Sequence, residues 1–337
     1  MALSYHYVTS TGAGSKNGGS WANAFDFAAF MSDFATCTAG DIYFFKPGTY
    51  TLTADIASVY DGTLSDPIAI IGVKSGTTAQ GNNINSDDWA TGSDRPFFNG
   101  GASYHINVGD DYILKNIRSE SEQSGVITIE RHGIIDNCYA KCDDAGGTSR
   151  YAILTENVGC RIINTEVESP NNRGVALSAG CLIHLCYVHN VFDYGVLMAV
   201  SSFATFTICD DVGTGFYGGA VSDAIQVINC VCYDCTNGIY SVAGISWSII
   251  GNIFHTCVTG INWTAASNNN FMWRNLMYNN TTDWNNVPAS GDTEDIFCDW
   301  LVLTSDPDFV DAPNGDFTLD TGSPALNASM KMVLGVG

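Results

Sequence analysis

Leu114-Lys115-Asn116-Ile117 and Ile135-Asp136-Asn137-Cys138 are two copies of one short pattern: a hydrophobic residue, a spacer, Asn, then a small or apolar residue. Further copies read Ile162-Ile163-Asn164-Thr165, Ile183-His184-Leu185-Cys186, Phe206-Thr207-Ile208-Cys209, Val227-Ile228-Asn229-Cys230, Ile250-Gly251-Asn252-Ile253 and Trp273-Arg274-Asn275-Leu276. They recur at intervals of roughly 21 to 27 residues, a period that marks stacked repeats. About nine or ten residues after the Asn position comes a second mark: Gly125-Val126, Gly174-Val175, Gly195-Val196, Gly238-Ile239 and Gly260-Ile261, with Tyr151-Ala152 standing in for one Gly. The apolar residues form short β-branched runs, too brief for helices and without the leucine ladder of leucine-rich repeats. Three short strands per coil fit this spacing best.

Stacked asparagine amides would hydrogen-bond to one another and to the turn backbone, satisfying polar groups that each coil otherwise leaves unpaired. Cys138, Cys186, Cys209 and Cys230 read as a ladder of small residues pointing inward beside them. On these repeats the chain resembles the right-handed parallel β-helix proteins of the pectin lyase-like superfamily. That resemblance implies an Asn ladder in the turn between the second and third strands, with Leu185 and Ile208 departing from it.

The ends of the chain extend the resemblance. Ser20-Trp21-Ala22-Asn23-Ala24-Phe25 follows a Gly-rich loop and is similar to the segment that opens many β-helix proteins. Ser20 is the expected cap of a helix whose Trp21, Phe25, Ala28, Phe30, Met31 and Phe34 plug the end of the solenoid. Gly40 to Tyr50 looks like a first-coil strand ended by Pro47-Gly48. Ser75 to Asp94 is polar and Gly/Asn-rich, and is expected to protrude as a loop. Asn279 to Thr293 is expected to be irregular. The tail from Asp306-Pro307-Asp308-Phe309 to Ser323-Pro324-Ala325-Leu326 resembles the closing segment of bacterial and phage β-helix proteins. The expected organisation is therefore an N-terminal strand, loop and capping helix (1–39), an all-β, single right-handed parallel β-helix of about ten or eleven coils (40–303), and a closing segment (304–337).

Composition narrows the function. With 13 Lys and Arg against 35 Asp and Glu, the net charge is −22 and no basic run interrupts it. Nucleic acid and anionic lipid are excluded as partners, because binding phosphates needs clustered cations. An anionic polysaccharide would also be repelled unless calcium or a local basic patch intervened. The 12 cysteines sit at ladder positions in a large core, so they are expected to be reduced, buried and small; Cys230, Cys232, Cys235 and Cys257 are read as core packing in preference to a metal site. Met1 to His6 has neither the basic nor the apolar region of an export signal, and no run is long enough to span a membrane. The expected location is the virion, or the extracellular space after lysis, and otherwise the cytoplasm.

In the enzymes of the resembled superfamily, substrate lies along the outer face of the strand after the Gly mark and the turn leading into it. If the first and third residues after each Gly point inward, the outward set is Ile127, Ile129, Ile153, Thr155, Ala176, Ser178, Leu197, Ala199, Tyr240, Val242, Asn262 and Thr264. No member is ionisable, so this face offers neither base nor cation for β-elimination of a uronic acid. The apolar stripe suggests instead a contact with a loop or another subunit, as in a trimeric spike.

The turn is richer in chemistry. Asp143, Asp144, Asp193 and Asp211 are the candidate catalytic carboxylates, on coils stacked about 4.8 Å apart, a spacing from which a glycosidase pair can be assembled. Arg150, Arg173, His189, Tyr194, Phe216, Tyr217 and Tyr240 are the candidate substrate-binding residues. Cys142-Asp143-Asp144 and Cys209-Asp210-Asp211 resemble the Asp-Asp pair of polygalacturonases, but the Gly-His-Gly and Arg-Ile-Lys motifs of those enzymes are absent. No metal-ligand set stands out, and calcium at the aspartate pairs is the one cofactor the residues allow. Two readings follow. One is a virion or surface β-helix, a tail spike or capsid decoration, oligomeric with itself or with other virion proteins and able to bind glycans. The other is a polysaccharide-degrading enzyme, hydrolase before lyase.

Overall fold

The computed structural model describes residues 3–144, 150–219, 223–242, 246–264, 270–286, 298–302 and 306–327. The fold is a parallel β-solenoid with few helices, as the repeats require. Its residues cluster into two compact units, Met1–Val167 and Glu168–Gly337.

In the first unit, one column stacks Ser4–Val8, Asp41–Phe45, Ile68–Gly72, Tyr112–Lys115, Ile134–Asp136 and Arg161–Ile163 in parallel register. A second stacks Thr49–Thr51, Phe97–Gly101, Arg118–Ser121 and Tyr139–Cys142. A third stacks Ile106–Val108, Ile127–Ile129 and Tyr151–Thr155. Rings fill the first coils: Tyr43, Phe45, Tyr50, Phe98 and Tyr112 are all buried. The helix covers them, but it starts later than the sequence suggests. It spans Phe27–Phe34, with the Asp26 carboxylate accepting from the Ala29 amide, while Trp21–Asn23 forms a separate 3-10 turn. Phe25 cannot be helical because its backbone pairs with Tyr7 and Thr9. Residues 75–94 do not protrude. They fold back through three 3-10 turns, held by Trp21 Nε1 donating to the Ala79 carbonyl (2.8 Å) and by the Gly81 amide donating to the Tyr7 hydroxyl (2.6 Å).

In the second unit, the first column is Leu182–His184, Phe203–Thr205, Gln226–Ile228, Ser248–Ile250 and the start of Phe271–Tyr278, which also pairs with Cys298–Val302. The long strands Tyr187–Met198 and Ile208–Gly218 each serve the second column with one half and the third with the other. Val231–Tyr233 and Ile253–His255 continue the second column. Asn237–Ser241, Thr259–Trp263 and Thr282–Asn285 continue the third, so part of the stretch expected to be irregular is a strand.

Backbone geometry explains the repeat and corrects its alignment. Asn116, Asn137 and Asn164 adopt left-handed φ of 56°, 53° and 49°, the conformation that Asn tolerates and that turns the chain between columns. In the second unit the same turn position is held by Leu185, Phe206, Asn229, Gly251 and Arg274. The last three copies other than Val227-Ile228-Asn229-Cys230 are thus offset: the equivalent tetrads are Ala204-Thr205-Phe206-Thr207, Ile249-Ile250-Gly251-Asn252 and Met272-Trp273-Arg274-Asn275. Asn252 and Asn275 sit one residue later and point into the core, where the Asn252 amide donates to Asn275 Oδ1 at 3.0 Å. On the turn side of the first unit the stacking is one bond, Asn137 Nδ2 donating to Asn116 Oδ1 at 2.8 Å, and Asn164 leaves the row by donating to Asp136 Oδ1 at 3.2 Å.

Glycines of the third column have a packing role. A Cβ on Gly174, Gly215 or Gly238 would lie 2.5 Å from the carbonyl oxygen of Gly195, Gly238 or Gly260 respectively, so only Gly lets successive rungs approach. All cysteines with described side chains are buried and unbridged. Burial pushes the thiols of Cys138, Cys230 and Cys232 up to about 12, and Cys230 and Cys232 donate to the carbonyls of Ile228 and Gly238. These are inert core groups.

Residues 306–327 form a short antiparallel hairpin, Phe309–Asp311 with Asp316–Leu319, and a final helical turn, Pro324–Asn327. The segment lies on the outer side of the second column, where Ala312, Phe317, Leu319 and Ala325 pack on Ile208, Val231, Ile253 and Leu276.

Candidate functional site

The third column of the second unit carries an outward strip of rings and polar groups. Val175, Val196, Phe216, Ile239 and Ile261 are buried, so their neighbours Ala176, Leu197, Tyr217, Tyr240 and Asn262 line up on the opposite side. The Tyr194 and Tyr217 rings stack with centroids 4.0 Å apart and planes 12° apart, and Tyr217 and Tyr240 with centroids 5.7 Å apart. The Arg173 guanidinium lies 4.7 Å over the Tyr194 ring and its Nε donates to Asp193 Oδ2 at 2.8 Å. Beyond Tyr240 the strip ends in amides: Asn262 donates to Asn237 at 2.9 Å and Asn285 donates to Asn262 at 3.1 Å. Burial, then the Asp193 charge and Tyr217, push the Tyr194 hydroxyl up to about 12, so it remains a neutral donor and acceptor.

Beside the strip, at the turn between the second and third columns, lies an open cleft of about 310 Å3 lined by Pro170, Asn190, Val191, Phe192, Asp211, Val212, Gly213, Asp234 and Thr236. Asn190, Asp211 and Asp234 occupy the same left-handed turn position on three successive rungs, with φ of 49°, 51° and 50°. The register shifts between Val191 and Tyr194, a bulge that leaves the Phe192 ring 63% exposed. Among the described residues, no Lys, Arg or His lines the cleft.

The predicted residues therefore divide. Arg173, Asp193, Tyr194, Tyr217 and Tyr240 share the strip, and Asp211 lines the cleft. Phe216 does not belong to the site: strand alternation buries its ring completely, in register with Val196 and Ile239. His189 lies on the second column, stacked on Tyr187 with centroids 4.4 Å apart. In the first unit Asp143 pairs with Lys141 at 3.4 Å and the buried Asp144 with Arg150 at 3.0 Å. The outward apolar stripe is also corrected there. Ile127 and Ile129 are buried because Gly125 occupies a left-handed turn (φ 65°) and shifts the alternation by one residue, and Ile153 and Thr155, in register with them on the next rung, are buried too.

Sequence reasoning missed Phe192, Asn190 and Asp234. A signal was present: Asp211 and Asp234 each precede a third-column Gly by four positions, Gly215 and Gly238, and Asn190 precedes Gly195 by one more because of the bulge.

Among the described residues, no group of three or more His, Cys, Asp or Glu side chains is arranged to hold a metal ion, and no helix is long and apolar enough to cross a membrane. No family model and no curated protein matches the chain. Solved structures do. A crystal structure of pectate lyase Pel9A is similar over 96% of this chain and 91% of its own, with a TM-score of 0.59 and 14% identity. A rhamnogalacturonan lyase is similar over 98% of this chain and 95% of its own, with a TM-score of 0.52 and 13% identity. The fold shared with these structures is a right-handed parallel β-helix. At these identities the likeness concerns the fold alone, and function rests on the residues of this chain.

Proposed function

We propose that the chain is a glycan-binding β-helix whose strip and neighbouring cleft in the Glu168–Gly337 unit receive a polysaccharide. The observation that carries this reading is the continuous outward row Arg173, Tyr194, Tyr217 and Tyr240, leading to Asn262 and Asn285. The stacked rings occupy one another's faces, so they offer edges and hydroxyls, while the Phe192 ring in the cleft offers a free apolar face. Apolar faces take the C–H side of a pyranose, and hydroxyls, amides and carboxylates exchange hydrogen bonds with its hydroxyl groups. Polysaccharide-degrading relatives of the fold make such a ligand reasonable. The test is binding of the folded chain to a panel of neutral and acidic polysaccharides, with Tyr217→Ala as the variant. We expect affinity to fall at least about tenfold, close to 1.4 kcal/mol; unchanged affinity would refute the strip as the binding surface.

A second reading is hydrolysis of the bound chain. One observation favours it: burial pushes the Asp210 carboxyl up while its oxygen accepts from Tyr187 at 2.7 Å, and the next residue, Asp211, lines the cleft. Carboxyls held in unlike environments are the raw material of acid–base pairs. New reducing ends that grow with time and disappear in Asp211→Asn would support it. We place the protein on a virion or other glycan-facing surface, as a spike or capsid decoration. The acidity, the reduced thiols and the resemblance of the tail to bacterial and phage β-helix proteins support this placement, and self-association is checked by native mass measurement.

A further inference from the structure

The charges around the cleft narrow the ligand. Asp211 and Asp234 stand on adjacent rungs at one turn position, and among the described residues no basic group lines the cleft with them. The cation at the head of the strip, Arg173, is held by Asp193 and lies against Tyr194, so it faces any ligand already neutralised. The whole chain adds a net charge of −22. A glycan with a carboxylate on each sugar would bring like charges repeatedly past this edge, with no unpaired cation among the described residues of the cleft to offset them, and like-charge juxtaposition is a strong discriminator between partners. The carboxylates still serve an uncharged sugar well, because they accept hydrogen bonds from vicinal hydroxyls.

We infer that the cleft takes an uncharged glycan and that Asp211 and Asp234 are the residues that exclude polyuronates. This deepens the glycan-binding reading and rests on it. The experiment compares a neutral galactan or glucan with polygalacturonate and alginate, on the wild-type chain and on D211N/D234N, in EDTA and again with millimolar calcium. The quantity read is the ratio of polyuronate to neutral-glycan affinity. In wild type at low salt we expect that ratio to lie at least about tenfold below one, and to rise at least about tenfold in the double variant. Raising the ionic strength of the wild type to about 0.5 M should move it in the same direction, because screening acts without any substitution. Equal affinity for both classes, polyuronate binding that needs calcium, or a ratio unmoved by both the double substitution and salt would overturn the inference and leave the glycan-binding reading standing. Failure of wild type to bind any glycan would overturn that reading and this inference together.

Discussion

In the Glu168–Gly337 unit, the second column turns Ile208, Val231, Ile253 and Leu276 outward, and the third turns out Leu197, Tyr217, Tyr240 and Asn262. Both faces are built on the same parallel ladder. The first is sealed by the chain's own hairpin, through Phe317, Leu319, Ala312 and Ala325. The second carries no such cover among the described residues, and its rings are half-buried against one another. An aliphatic row must be removed from water, whereas a row of phenols, amides and one paired guanidinium can stay wet and keep its hydrogen-bonding groups available. A solenoid offers several equivalent faces, and side-chain chemistry decides which becomes core and which remains surface.

The largest expected effect tests the sealed face. Phe317→Ala removes a fully buried ring that contacts Tyr233 and Phe309, and should cost about 3–5 kcal/mol by urea unfolding. A loss below about 1 kcal/mol would mean the hairpin is not part of the folded core. Next comes the ladder that both faces share. Gly215→Ala places a Cβ 2.5 Å from the Gly238 oxygen and 2.8 Å from Cys232 Sγ, and should destabilise by about 1–3 kcal/mol. By contrast, Tyr217→Ala breaks two aromatic pairs and should cost about 1–3 kcal/mol in stability, below the loss at Phe317, while its effect on glycan affinity is large. Should the stability loss match that of Phe317→Ala, the contrast between a sealing face and a binding face fails.

The smallest effect is a pH dependence confined to the sealed face. His255 is buried against Tyr233, Phe309 and Tyr278, with its Nε2 3.5 Å from Asp306, and burial holds its imidazole below the usual histidine value. With the folded value depressed, the unfolded chain binds the proton first. The contribution is therefore fully present above the unfolded value of about 6.5 and is lost as pH falls toward the folded one. Urea midpoints of wild type should drop as pH falls from about 7 to 5, and His255→Gln should flatten that part of the slope. Asp210 acts in the opposite sense, because its raised carboxyl favours the folded state as pH falls toward and below its folded value. An unchanged slope in the variant would show that His255 is not the group responsible.

Much of this architecture is legible in the sequence. Asn116, Asn137, Asn164 and Asn229 mark the left-handed turn because few other side chains tolerate it. Where Phe206 or Arg274 occupies the same turn, composition alone gives no sign of it, and the repeat is offset by one or two residues. A related limit misplaced Ile127, since the left-handed Gly125 reverses which side of that strand faces out, whereas Phe216 follows Gly215 as Val196 follows Gly195 and ordinary alternation buries it. The candidate site was half legible. Tyr194, Tyr217 and Tyr240 were visible as a set, but Phe192 looked like one more strand residue until the bulge exposed it.

Period and composition suffice to make the chain coil into stacked short strands, to place the described cysteines in the interior, and to make it too acidic to seek phosphate-rich partners. Those properties depend on period and composition, which are local or additive. Tertiary structure alone decided that the closing hairpin lies along the second column, that Arg173 belongs to Asp193 and Tyr194, and that Asp211 and Asp234 face one cleft. Each of these depends on register between coils, and a shift of one residue in that register exchanges inside for outside.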